Sequence, residues 1–260
     1  MSMKRFKSLF SVVLLGVVLS GCVKERRGFC PCRLLLDLSD LDTSVVSSVR
    51  INIVGPDGYV FDTLADSTLF QDEILVRVPK GGCRLNVYSG EHGLAEPHGG
   101  LQIPLGEECP PVYMQSSHLD TDRELLRRQV SLRKNFCRLS VYVEDAVHFP
   151  FSLAVRGTVS GYDGEGAPSS GAFFYGIDSV TDLDWVLSVP RQVDDSMLLE
   201  VSDGTDILKT FALGEYISAS GYDWTAADLQ DITIGIDYTR TKLTVSIRGW
   251  DEVYEFDVVI

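Results

Sequence analysis

Past residue 32 the chain alternates apolar and polar positions in short runs separated by turn-forming residues. Successive side chains of a strand point to opposite faces, so a period of two predicts strands with one buried face. Arg33 to Leu38 is the first such run. Val49, Ile51 and Ile53 alternate with Arg50 and Asn52, Gly55-Pro56-Asp57-Gly58 supplies a turn, and Tyr59 to Thr63 is predicted to return as a hairpin partner. Ile74, Val76 and Val78 share one face, with Leu75, Arg77 and Pro79 on the other. Pro79-Lys80-Gly81-Gly82 then turns the chain into Cys83, Leu85 and Val87.

The pattern fails over Glu91 to Ser117, which is rich in Gly and Pro and reads as a long loop with one short strand at Leu101 to Leu105. Asp120 to Arg128 is predicted as one or two helical turns. Gln129 to Val143 reads as one long strand closing the first half, with Val130, Leu132, Phe136, Leu139, Val141 and Val143 available to a core. Glu144 to Pro150 is the expected boundary. Beyond it, Phe151 to Arg156 starts a second set of strands and Gly157 to Gly171 is predicted as a Gly/Ser/Asp-rich loop. Ala172 to Tyr175, Trp185 to Val189, Met197 to Val201 and Ile207 to Phe211 are further short strands, the last two joined at Asp203-Gly204. The other predicted helix is brief and starts at the capping pattern Thr225-Ala226-Ala227-Asp228. Ile232, Ile234 and Ile236 then face Leu243, Val245 and Ile247 in a hairpin, and Val253 to Ile260 is a last strand.

Many short strands, close turn signals and very little helix predict an all-β protein of two antiparallel β-sandwich domains, at 32–147 and 148–260. Apolar residues make up 45% of the chain, enough for two packed cores.

The N-terminus follows another pattern. Lys4, Arg5 and Lys7 precede an apolar run from Leu9 to Leu19, and Leu19-Ser20-Gly21-Cys22 follows. A basic start, an apolar run too short to span a bilayer and small residues before a Cys predict a lipoprotein signal peptide at 1–21. Cleavage leaves Cys22 first, with its thiol as the lipidation site, palmitate being an expected acyl group. Residues 22–31 then form a polar tether, in which Lys24-Glu25 resembles a weak surface-export signal. Several acyl chains, at about 0.8 kcal/mol per buried methylene, make a stable anchor.

The chain carries 23 basic and 37 acidic residues. Removal of 1–21 takes three basic residues and no acid, leaving 20 against 37, a net charge of −17. That argues against nucleic acid as a partner and against flat adsorption on anionic lipid, because both need a basic face.

Apart from Cys22, the cysteines are Cys30, Cys32, Cys83, Cys109 and Cys137, all candidates for disulfides. Their number is odd, and spacing does not choose among the pairings. Cys30-Pro31-Cys32 is too tight to close easily on itself, so each of the two is expected to look towards another strand. No second close Cys pair or His pair accompanies it, so no metal or other cofactor is expected.

Catalytic motifs are absent: there is no G-x-S-x-G elbow, no H-E-x-x-H and no P-loop. His92, His98, His118 and His148 are scattered. Asp163 and Glu165, or Asp194-Asp195, would serve a sugar or calcium site, but solvated acidic loops are the simpler reading. Trp185, Trp224 and Trp250 would serve a carbohydrate platform if exposed, and burial is the simpler reading for Trp224 and Trp250. The chain is therefore not expected to be an enzyme.

Several stretches resemble one family. Leu213-Gly214-Glu215-Tyr216-Ile217, Ser220-Gly221-Tyr222-Asp223-Trp224, Leu229-Gln230-Asp231-Ile232 and Ile236-Asp237-Tyr238, with Trp250 before a final strand, are similar to the C-terminal half of the FimB-type fimbrial anchor subunits of Bacteroidetes. The lipobox, the Cys-Pro-Cys, Val78-Pro79-Lys80-Gly81 and Val130-Ser131-Leu132-Arg133-Lys134-Asn135 agree in outline. The resemblance implies two transthyretin-like β-sandwiches in a lipoprotein of the outer membrane, exposed at the cell surface. Such a protein would anchor a fimbria, or pilus, limit its assembly and serve cell adhesion. The partners it implies are fimbrial structural or accessory subunits, joined by strand pairing, and the outer membrane, reached through the lipid on Cys22. A tip or accessory subunit and a surface glycan-binding lipoprotein are the alternatives.

Overall fold

The computed structural model describes residues 30–89, 100–143, 151–177, 184–237, 242–247 and 253–257. In chain order the first strands are β1 (Cys32–Asp37), β2 (Ser48–Val54), β3 (Val60–Asp66), β4 (Glu73–Val78), β5 (Cys83–Ser89) and β6 (Leu101–Gln102). Next come β7 (Tyr113–Leu119), β8 (Leu125–Gln129), β9 (Arg133–Lys134), β10 (Phe136–Val143), β11 (Ser152–Tyr162) and β12 (Pro168–Ile177). The rest are β13 (Asp184–Pro190), β14 (Leu198–Ser202), β15 (Ile207–Phe211), helix α1 (Leu213–Ala219), β16 (Ile232–Asp237), β17 (Lys242–Ile247) and β18 (Val253–Asp257). The all-β fold matches the alternation in the sequence. Among the described residues no helix is long and apolar enough to cross a membrane.

Two sheets enclose the first core. One runs β4-β1-β8 and the other β3-β2-β5-β7-β9. Leu34, Leu36, Val76 and Val78 of the first sheet meet Val49, Ile51, Ile53, Leu85 and Val87 of the second, all nearly inaccessible to solvent. Full burial of one such side chain stabilises by about 1.5–3 kcal/mol, so these alternating positions hold the register. The second core lies between β13-β10-β16-β17-β18 and β12-β11-β14-β15, with β6 added beside β11. Pairing is antiparallel except for β1 with β8 and β10 with β16, which are parallel. The hairpin of β16 and β17 has the expected register, Ile232 opposite Ile247 and Ile234 opposite Val245.

Besides residues 113–117, expected as loop but already part of β7 beside β5, the sequence reading needs correction at four places. Residues 125–128, expected to be helical, lie in β8, because Leu125 to Gln129 find a ladder along β1 from Arg33 to Asp37. The expected single strand from Gln129 to Val143 is broken. Its first part ends β8, Arg133 and Lys134 pair with Met114 and Tyr113 of the first set of sheets, and Phe136–Val143 pairs with β13 and β16 in the second. The expected loop at 157–171 is largely strand, since β11 runs to Tyr162 and β12 starts at Pro168.

The helix is the fourth correction. It forms at Leu213–Ala219, where Leu213 and Ile217 are buried, and lacks a side-chain N-cap. At 225–228 there is a turn instead. Asp223 accepts from the Thr225 backbone N–H (2.8 Å), and Asp228 accepts from the Lys134 N–H (2.8 Å), so the capping groups serve other partners.

Glycine explains the misread loop. Gly161 has φ +151°, and a Cβ there would sit 1.9 Å from the Leu101 carbonyl oxygen. Gly161 therefore permits the close approach of β6 and makes no turn. At Gly204, φ is +92° and a Cβ would meet nothing within 4 Å. Gly204→Ala is expected to cost only the left-handed backbone strain, about 1–2 kcal/mol, read as a small fall in the urea midpoint.

Candidate functional site

The cysteines divide between the cores. Cys22 lies outside the described residues, Cys30 is exposed, and the other four are buried. Cys32 and Cys83 belong to the first core, Cys109 and Cys137 to the second. All five described cysteines are thiols. Burial pushes each of the four buried thiols up, Cys137 to about 12, so none is a ready nucleophile at neutral pH.

The acidic loop residues are turn builders. Asp163 accepts from the backbone N–H of Glu165 (2.8 Å) and Ala167 (3.0 Å), and Glu165 pairs with Arg84 at 2.5 Å. Asp194 accepts from the Ser196 hydroxyl, the Ser196 N–H (3.0 Å) and the Thr158 hydroxyl (3.2 Å), which together hold its carboxyl below the usual carboxylate range. Among the described residues no group of three or more His, Cys, Asp and Glu is placed to hold a metal ion. His118 lies on β7, while His92, His98 and His148 lie outside the described residues. Trp185 and Trp224 are buried in the second core, which removes them from any carbohydrate platform; Trp250 lies outside the described residues.

A groove of about 520 Å³ runs beside β7 and β8, lined in part by Gln115, Ser116, Arg128, Arg133, Asn135 and Arg191. Arg133 pairs with Asp228 at 3.0 Å, while Arg128 is exposed. Arg191 binds neutral oxygens: its Nε donates to Asn135 Oδ1 (3.1 Å), and its Nη1 donates to the carbonyls of Ala226 (2.8 Å) and Trp224. The Tyr162 hydroxyl joins this node, accepting from the Arg191 N–H (2.9 Å) and donating to the Asn135 carbonyl. Burial drives the Tyr162 phenol far above its ordinary pKa, so it stays a donor. The sequence reading missed this node, because no local pattern joins residues 135, 162, 191 and 224–227.

The sheet edges carry a second feature. Every exposed large hydrophobic that lies in a described strand lies in the terminal strand of its sheet. Val60 and Leu64 are on β3, Leu75 on β4, Leu125 on β8, Val186 on β13, Ile207 and Leu208 on β15, and Val253 on β18. An edge strand has one open row of N–H and C=O groups, and exposed apolar side chains beside that row favour addition of another strand. Charged neighbours temper this: Arg127 of β8 pairs with Glu73 of β4 across the outer face at 3.0 Å.

No family model matches the chain, and no curated protein matches it by sequence. Solved structures do match in fold. A candidate polysaccharide-binding protein (DUF1812) from Bacteroides thetaiotaomicron superposes with a TM-score of 0.62 at 10% identity, over 86% of this chain and 98% of that one. A candidate adhesin from Bacteroides ovatus gives 0.61 at 12%, over 91% and 99%. The fimbrial anchor protein Mfa2 from Porphyromonas gingivalis gives 0.60 at 13%, over 85% and 98%. At such identities the shared property is the fold.

Proposed function

We propose that this chain is a non-catalytic lipoprotein that anchors a fimbria at the outer membrane and limits its assembly. The observation that carries the proposal is the set of apolar side chains exposed on the terminal strands of the sheets, in a fold shared with a fimbrial anchor protein. In this reading residues 1–21 are the signal peptide, Cys22 takes the lipid and residues 22–31 are the tether. Two β-domains form the body, parting between β9 and β10 rather than at the expected 147/148 boundary, and a fimbrial subunit joins it by strand pairing at one of the edges. The burial of Trp185 and Trp224 argues against glycan binding through a tryptophan platform.

Deletion of the protein tests the anchor role. Fimbriae that are longer and shed into the medium are the expected result, measured by electron microscopy and by fimbrial antigen in the supernatant. Unchanged length and retention, with adhesion alone lost, would place the chain at the tip instead.

Cys22→Ala tests the tether. The variant is expected to leave the membrane fraction while its thermal midpoint stays that of the parent, because the described core residues begin at Cys32. A variant still sedimenting with membranes would remove the lipid from the proposal.

A further inference from the structure

The two thiols of the first core approach from opposite sheets. Cys32 opens β1, whose inward side chains are Cys32, Leu34 and Leu36. Cys83 opens β5, whose side chains Cys83, Leu85 and Val87 enter the same core from the facing sheet. Cys32 lies directly opposite Val78 on β4, and the turn Pro79–Gly82 carries the chain from Val78 across to Cys83. Both cysteines therefore sit at the end of the core where that short turn joins the two sheets.

Packing there is close. Cys83 Sγ lies 3.7 Å from the Pro79 carbonyl oxygen and 4.0 Å from Thr121 Oγ1, and Thr121 donates to the same carbonyl at 2.8 Å. A Cβ at Gly55 would meet Cys83 Sγ at 3.0 Å, so the glycine leaves the sulfur room on that side. Cys32 and Cys83 are 0% and 1% exposed. Burial pushes the Cys83 thiol up, and a charge on Cys32 adds to that in the same direction.

Cys109 and Cys137 share the second core, and burial, Glu108 and a charge on Cys137 all push the Cys109 thiol up, but their strands hold them apart. The Cys109 N–H bonds to the Ser188 carbonyl at 3.2 Å, and the Ser188 N–H donates to Glu108 at 2.5 Å. Both backbone groups of Ser188 thus turn away from β10, which carries Cys137 on the other side of β13. Two strand spacings separate Cys109 from Cys137, about 9.5 Å, beyond the Cα separation of about 7 Å that a disulfide spans. Cys30 is exposed, outside either core.

We propose that Cys32 and Cys83 form a cross-sheet disulfide, the covalent staple of the first core. The two thiols give up two protons and two electrons, and the sulfurs join. A small-molecule or enzymatic disulfide of the envelope accepts both and leaves as two thiols. Both sulfurs are buried in the folded chain, so the bond closes during folding, before the core shuts. The pairing rests on the fold; that it closes in the cell rests on the export reading above.

The test maps cysteines in the full-length chain isolated from its own cells, alkylated under denaturing conditions without reduction. A second sample is reduced, unfolded and refolded in mixed reduced and oxidised glutathione. The expected result in both is a peptide carrying Cys32 linked to one carrying Cys83, with fragment ions separating Cys30 from Cys32, and with Cys109 and Cys137 alkylated. A link formed only on refolding supports the pairing and overturns export. Alkylated Cys32 and Cys83 in both samples, or a link from either to another cysteine, overturns the pairing. Reduction of the linked protein is expected to lower its thermal midpoint by roughly 5–10 °C. The Cys32→Ala/Cys83→Ala variant is expected to show no such response to reductant, and the same fall in that variant would also overturn the pairing.

Discussion

Arg191→Ala is expected to lower the stability of the folded chain by about 3–4 kcal/mol, more than most single substitutions remove. The guanidinium holds the carbonyls of Trp224 and Ala226 and the Asn135 side chain at once. Truncation removes a charged donor and leaves those acceptors half-buried without it, and a hydrogen bond to a charged group is worth about 1.5–3 kcal/mol. The turn at 224–227 then loses its tie to the segment after β13. Arg191→Lys keeps the charge but not the fork that reaches two directions, so an intermediate loss of about 2 kcal/mol is expected. Urea denaturation measures both. Tyr162→Phe removes the hydroxyl that joins the Arg191 N–H to the Asn135 carbonyl. Its cost, about 1–2 kcal/mol alone, is expected to be smaller when Arg191 is already Ala, because both act on one node. Strict additivity of the two substitutions would mean that the node is not a unit.

Gly161→Ala is expected to cost about 2–4 kcal/mol and to detach β6 from β11. The new Cβ would lie 1.9 Å from the Leu101 carbonyl oxygen and 2.9 Å from its carbon. Both are backbone atoms, so no rotamer change relieves the contact. The pairs Gly161–Gln102 and Tyr162–Leu101 are the ones displaced. Hydrogen exchange is the direct readout: the Ile103 amide, bonded to the Ser160 carbonyl at 2.8 Å, should lose protection in the variant. Gly204→Ala, with open space around its Cβ, separates this clash from the backbone strain common to both positions.

In two hairpins whose partners are near in sequence, the alternation was enough. The hairpins β2–β3 and β16–β17 stand where Val49, Ile51 and Ile53, and Ile232, Ile234 and Ile236, put them. Three features were not legible. The strand β8 is set by parallel pairing with β1, far away in the chain, and its own residues Leu125-Leu126-Arg127-Arg128-Gln129 suit a helix equally well. The glycines of β11 look like loop punctuation, yet they answer to neighbours distant in sequence: a Cβ at Gly157 would sit 2.8 Å from Gln192 Oε1. The helix α1 is fastened from outside, the Gly214 N–H donating to the Met197 carbonyl at 2.8 Å, so no cap marks its start.

The candidate site was legible as residue types and less so as an arrangement. The cysteines could be listed, but their division between two cores follows from β10 joining β13, which the alternation of Phe136 to Val143 does not reveal. The outward position of Leu75 was readable from its own strand. That β4 is terminal in its sheet was not, since that depends on β1 pairing with β8 on its other side.

The place of β1 has a mechanical consequence. It is the first strand after residue 31, and it lies between β4 and β8 with ladders on both sides. If residues 22–31 tether the body as proposed, a pull on them enters at Cys32, the first residue of β1. With Cys32 reduced, the component of that load along β1 shears two ladders at once, so their hydrogen bonds resist together. A strand at the edge of the sheet, pulled sideways, would give way one bond after another.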